Sequence, residues 1–126
     1  MRVINFEDSG SKHSDIKKVL RQCGIGDIAW VRNMSDGLNM MEEAQKAEKP
    51  FDLVITDMHY QLTPSGKDDL NAGEKLISEL KERGNGVKII VCSSRNIRIK
   101  DIYGCVWYSK LGDWESDLEE LVKKLK

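Results

Sequence analysis

Short apolar runs alternate along this chain with longer segments whose apolar positions recur every three or four residues. "RVINF" (2–6) reads as a strand. In the "SKHSDIKKVLRQCG" that follows, Ile16, Val19, Leu20 and Cys23 share one helical face, with Ser11 or Ser14 as the cap and Gly24 as the stop. "DIAWVRN" predicts a second strand around 27–32. Ser35-Asp36 then caps a helix carrying Leu38, Met41 and Ala44, which closes before Pro50. "FDLVIT" (51–56) is the third strand, and Ala72, Leu76, Ile77 and Leu80 mark a third helix ending near Gly84. "VKIIVCS" (87–93) and "GCVWYS" (104–109) are the fourth and fifth strands. A last helix, from about Asp113, carries Trp114, Leu118, Leu121, Val122 and Leu125.

Strand followed by helix, repeated, with strands apolar on both faces, predicts a parallel sheet covered by helices on each side. Five strands in one domain, 1–126, fit the doubly wound α/β order 2-1-3-4-5, whose switch point lies between strands 1 and 3. Only the segment "SRNIRIKDIY" separates strands 4 and 5, and a crossover with its helix needs about ten residues at the least. The fourth helix is therefore expected to be short or absent. Between Asp57 and the third helix, by contrast, "HYQLTPSGKDDLNAG" reads as an unusually long polar loop.

The charge balance narrows the function classes. At 126 residues and a net charge of -1, the chain has no general attraction for nucleic acid or anionic lipid. No apolar run approaches membrane-spanning length, and the N-terminus lacks the basic-then-apolar pattern of a secretory signal, so a cytoplasmic protein is expected. Cys23, Cys92 and Cys105 are odd in number and widely spaced, which argues against a disulfide framework or a zinc site. His13 and His59 stand alone and read as solvated positions.

Candidate chemistry gathers at the switch point, where ligands of such sheets bind outside the carboxyl ends of the strands. Strand 1 ends in Glu7-Asp8 and strand 3 ends in Asp57, so three carboxylates should meet in one crevice. Carboxylates this close hold a proton or attract a cation, and oxygen-only ligands suit Mg²⁺. A carboxylate can also attack phosphorus to form an aspartyl phosphate. A cation and a hydroxyl from the neighbouring strand ends would assist, and Lys110 and Ser93-Ser94 stand there.

With these residues in order, the whole chain resembles the receiver domain of two-component response regulators. The resemblance rests on "NFEDS", "DLVITDM", "IIVCSS" and "VWYSK". It implies that Asp57 is the phosphoacceptor, Asp8 a direct Mg²⁺ ligand, and Glu7 a carboxylate acting on the metal through water. The backbone carbonyl of His59 would be a further ligand, Ser93 the sensing hydroxyl, Lys110 the phosphoryl-binding cation and Trp107 the aromatic switch, with core packing the alternative for Trp107. It also implies a stand-alone phosphorylation switch that is not an enzyme, although it assists its own phosphotransfer. The donor would be a sensor histidine kinase or histidine phosphotransfer protein, and the output an unidentified downstream protein, with neither nucleic acid nor membrane as partner.

Three departures from the family stand out: the long segment after Asp57, the short one between Ser93 and Trp107, and Leu111 where proline with a cis peptide is usual. The first two favour a second reading, a receiver-like interaction module independent of phosphorylation, while the intact acids and lysine count against it. A third is a flavodoxin-like FMN binder using Ser9, Gly10, Ser11 and Ser14, disfavoured because Glu7 and Asp8 would repel its phosphate.

Overall fold

A computed structural model describes residues 1–126. Five parallel strands form one sheet: β1 (Arg2–Phe6), β2 (Asp27–Val31), β3 (Leu53–Thr56), and two later strands, Lys88–Ser93 and Gly104–Trp107. Two short antiparallel strands, β4 (Tyr60–Gln61) and β5 (Asp68–Asp69), precede the last two, which become β6 and β7 in chain order. The main sheet runs β2-β1-β3-β6-β7, the order expected from the sequence. The helices are α1 (Gly10–Gln22), α2 (Met34–Lys46), α3 (Ala72–Glu82) and α4 (Trp114–Leu125). No helix is long and apolar enough to cross a membrane.

Alternating side chains divide the core into two layers. Val3, Leu53, Ile55, Ile90, Cys92 and Val106 face α1 and α4, burying Ile16, Val19, Leu20, Leu118 and Val122. Ile4, Phe6, Val54, Ile89 and Val91 face α2 and α3, meeting Leu38, Met41, Leu76, Ile77 and Leu80. Fully burying one such aliphatic side chain contributes about 1.5–3 kcal/mol, so these two layers dominate the stability.

Several boundaries differ from the sequence reading. The first helix is capped by Ser9, whose side chain accepts from the Lys12 amide, rather than by Ser11 or Ser14. The second is capped by Asn33, which accepts from the Asp36 amide at 2.8 Å, so Ser35-Asp36 lies inside the first turn. In both cases an oxygen bearer at least two residues earlier reaches the free amides first. No helix forms between β6 and β7. Instead, residues 94–103 run without regular structure, and Ile97, Ile99 and Ile102 pack against the α2–α3 layer in its place. No peptide bond is cis.

The long segment after Asp57 is a hairpin rather than a featureless loop. Tyr60 pairs with Asp69 and Gln61 with Asp68, and the Gly66 amide closes a turn onto the Thr63 carbonyl. Tyr60 anchors the hairpin: its fully buried ring lies 6.1 Å from Phe6, and its hydroxyl meets Thr56 Oγ1 at 2.8 Å. The Ser35 amide donates to the Leu62 carbonyl, tying the other side to the start of α2.

Candidate functional site

Ladder pairing one residue past the strand ends brings the acids together. The Glu7 amide donates to the Val31 carbonyl, and the Asp57 amide donates to the Phe6 carbonyl at 3.1 Å. Each of Glu7, Asp8 and Asp57 presents a carboxylate oxygen, and these three atoms lie within 4.8 Å of one another. Burial divides them: Glu7 is 1 % exposed, Asp57 half-buried and Asp8 exposed. The Asp57 carboxylate is oriented by its neighbour, since Oδ1 accepts from the Met58 amide at 2.7 Å. Oδ2 is left facing the crevice.

A cation occupies the bottom of this crevice, and it comes from α1. Lys12 Nζ lies 2.9 Å from Glu7 Oε1, 3.4 Å from Asp57 Oδ2 and 2.6 Å from the Cys92 carbonyl oxygen. Its contact with Glu7 Oε1 is ionic without hydrogen-bond alignment, while Glu7 Oε2 accepts from the Ser9 amide. The Tyr108 ring covers the ammonium, its centroid 5.3 Å away. Burial alone would depress the Lys12 pKa, but Glu7 and Asp57 beside it reverse the sign and raise it, so the lysine is charged. Burial pushes the Cys92 thiol up to about 12, so that neighbour stays neutral. Burial also raises Glu7, with Lys12 opposing and Asp57 reinforcing the shift.

Lys110 does not join this group. It is exposed, makes no ion pair, and lines a shallow cleft with Asp15, Lys18, Tyr108 and Trp114 on the α1–α4 side. Tyr108, whose amide bonds the Ser93 carbonyl and whose hydroxyl bonds Asp15, ends the strand with its ring over Lys12. Ser93 is buried at the end of β6, where its hydroxyl accepts from the Arg95 amide at 3.2 Å. Trp107, half-buried, donates its indole N–H to the Ser94 carbonyl across the stretch that replaces a helix. The His59 ring faces Asp68 of the hairpin at 3.7 Å.

His13 is not solvated, as its isolation in the sequence suggested. It is buried, stacks on Trp30 at 4.5 Å, and its Nδ1 lies 2.9 Å from Asn5 Nδ2. The Trp30 indole in turn donates to the Glu7 carbonyl at 2.7 Å, linking this stack to the acid site.

Sequence reasoning passed over Lys12, yet a signal was present. The apolar stripe Ile16, Val19, Leu20, Cys23 extends back by one helical turn to position 12, where a lysine stands on the buried face. A charge there must find a partner, because buried charges are paired.

Neither a protein-family model nor a curated protein sequence matches the chain. Solved structures do. The response regulatory domain of protein mrkE from Klebsiella pneumoniae superposes with a TM-score of 0.77 at 12% identity, over 99% of this chain and 94% of that one. A DNA-binding response regulator of the LuxR family from Staphylococcus aureus gives 0.72 at 18%, over 98% and 97%. Chemotaxis response regulator CheY4 of Vibrio cholerae gives 0.70 at 15%, over 99% and 98%. The chain has the fold of response-regulator receiver domains.

Proposed function

We propose that this chain is a phosphorylation-operated receiver that takes a phosphoryl group onto Asp57. The observation that carries the reading is the meeting of Glu7, Asp8 and Asp57 around the buried ammonium of Lys12 at the carboxyl edge of the sheet. Three carboxylates and one ammonium leave two negative charges, the complement of a divalent cation. The donor atoms are carboxylate oxygens, which fit Mg²⁺. Asp8 and Asp57 would hold the ion, with Glu7 behind them and the His59 carbonyl as a further ligand. Bound there, Mg²⁺ would supply neutralisation and alignment of the phosphoryl oxygens.

The protein's own part is positioning. The Met58 amide holds Asp57 Oδ1, which leaves Oδ2 as the nucleophile. An O–P bond forms from Oδ2 as the P–N bond of a phosphohistidine breaks, and the electron pair leaves with the imidazole nitrogen, which takes a proton from solvent. Histidine kinases and histidine phosphotransfer proteins are the donor class, and output would pass through contact with another protein.

A receiver-like module that signals without phosphorylation is the rival, favoured by the ammonium already seated between Glu7 and Asp57. Incubation with acetyl phosphate and Mg²⁺, read by mass spectrometry, separates the two. The expected result is gain of one phosphoryl group in the unaltered protein and none in Asp57→Asn, with the fold intact by circular dichroism. An unlabelled protein sinks the proposal, and labelling that persists in Asp57→Asn moves the acceptor elsewhere.

A further inference from the structure

We propose that Lys12, in the first turn of α1, is the phosphoryl-binding cation of this site and that Lys110 has no part in it; the inference rests on Asp57 being the acceptor. Three features of Lys12 fit the task. Its ammonium is anchored by Glu7 and by the Cys92 carbonyl, so it stays in place when Asp57 changes charge. Its separation from Asp57 Oδ2, 3.4 Å, exceeds the roughly 2.7–2.9 Å of a charge-assisted hydrogen bond. Room therefore remains for the ammonium to turn a donor toward an oxygen of the arriving group. Its aliphatic stem is buried and its head is covered by Tyr108, so the charge acts in a drier medium than a surface lysine would, and counts for more.

The chain's own geometry explains why the other lysine is free. Tyr108, two residues before Lys110, folds its ring over Lys12 and its hydroxyl onto Asp15, which occupies the approach that the Lys110 side chain would need. Lys110 then lies on the open cleft beside Ser109 and Trp114.

During transfer Lys12 neither gives nor takes a proton. The O–P bond to Asp57 forms as the P–O bond of an acyl phosphate breaks, and the carboxylate of the donor departs with the electron pair. Lys12 offsets charge on the transferring oxygens, as a preorganised donor does at any site where negative charge gathers.

The test compares Lys12→Met, which keeps the length of the stem, with Lys110→Met. Labelling by acetyl phosphate and Mg²⁺ binding, read through tryptophan fluorescence, are both measured. Lys12→Met is expected to label about a hundredfold more slowly, the usual loss for one such donor. It should bind Mg²⁺ at least as tightly as the unaltered protein, because a competing positive charge has gone. Lys110→Met should label at the unaltered rate. Unchanged labelling in Lys12→Met, or loss of it in Lys110→Met, overturns the assignment. So does joint loss of labelling and Mg²⁺ binding in Lys12→Met, which marks a structural role. Should Lys12→Met not fold, the Lys110→Met arm decides by itself. If the unaltered protein takes no label, the acceptor reading fails and this one with it.

Discussion

Gly73 lies so close beneath Asp57 that a Cβ there would stand 2.6 Å from the Asp57 carbonyl oxygen and 2.7 Å from the Met58 sulfur. The Gly73 amide donates to the Met58 carbonyl at 3.2 Å, so α3 starts in contact with the backbone that orients the Asp57 carboxylate. Gly73→Ala must push two backbone segments apart. The expected cost is about 1–3 kcal/mol, seen as a lower urea midpoint, together with slower phosphodonor labelling. Gly86→Ala, where a Cβ meets nothing within 4 Å, serves as the control and should stay within about 0.5 kcal/mol.

Asp8 is the exposed member of the acid group and makes no ion pair with Lys12, so its oxygens are free for a metal. Asp8→Asn removes one hard anionic ligand from a site with few of them, and weaker Mg²⁺ binding is expected with slower labelling. Trp30 reports on it, since its indole bonds the Glu7 carbonyl next to Asp8. Equal Mg²⁺ affinity in calorimetry or fluorescence would contradict the ligand role.

The hairpin is joined to Asp57 by a short polar chain. Tyr60 hydroxyl meets Thr56 Oγ1, and Thr56 Oγ1 donates to the Asp57 carbonyl at 2.7 Å. Burial holds the Tyr60 phenol well above its ordinary pKa, so it stays neutral and able to donate. A beryllofluoride mimic on Asp57 should therefore change hydrogen exchange most in residues 58–72. Changes concentrated at 94–110 instead would show that the helix-free segment carries the response. Tyr60→Phe, which breaks the chain, should cost about 1 kcal/mol and blunt the change in the hairpin.

His13 gives the metal-free protein a pH dependence. Burial, with Lys17 adding to it, lowers the His13 pKa below 6.5 in the folded state. The unfolded chain then binds the proton more readily, so stability rises with pH through this window and is lost as pH falls below about 6.5. Protonation also takes away the lone pair at Nδ1 that faces Asn5 Nδ2. The melting temperature should fall between pH 7 and pH 5, and His13→Gln, which keeps an acceptor, should flatten that decline. An identical slope in both proteins would assign the effect to other groups.

The sheet was legible because its signal is local: "LVIT" is apolar or β-branched at every position, and β3 covers Leu53–Thr56. The meeting of Glu7, Asp8 and Asp57 followed from strand order alone, since each stands at a strand's carboxyl end. The hairpin escaped because its strands are two residues long, too short for alternation to register, although Pro64-Ser65-Gly66 marks its turn. The position of the Lys110 side chain was not legible, because adjacency to a strand end fixes where a backbone goes but not where a flexible stem points. In the structure the Tyr108 ring lies over Lys12, and Lys110 lines the outer cleft. Likewise, the burial of Lys12 and His13 depends on how α1 lies on the sheet, a long-range fact that residue type argues against.

The origin of the cation changes which parts of the chain must be in place for the site to exist. Glu7, Asp8 and Lys12 lie within one strand-to-helix turn, and Asp57 joins them through a single pairing, β1 with β3. The charged groups thus come from the first half of the molecule, with β6 adding the Cys92 carbonyl and Tyr108 covering the ammonium. A receiver whose lysine sat beyond the last strand would have to keep the geometry of everything from β6 to β7 within a fraction of an ångström. Here Cys92 and Tyr108 must hold their places around Lys12, and only the segment between β6 and β7 is released from that demand. Substitutions between residues 94 and 103, short of β7 and Tyr108, should leave the cluster of Glu7, Asp57 and Lys12 in place even where they reshape the surface, and the helix that is absent there is a change this cluster never had to feel.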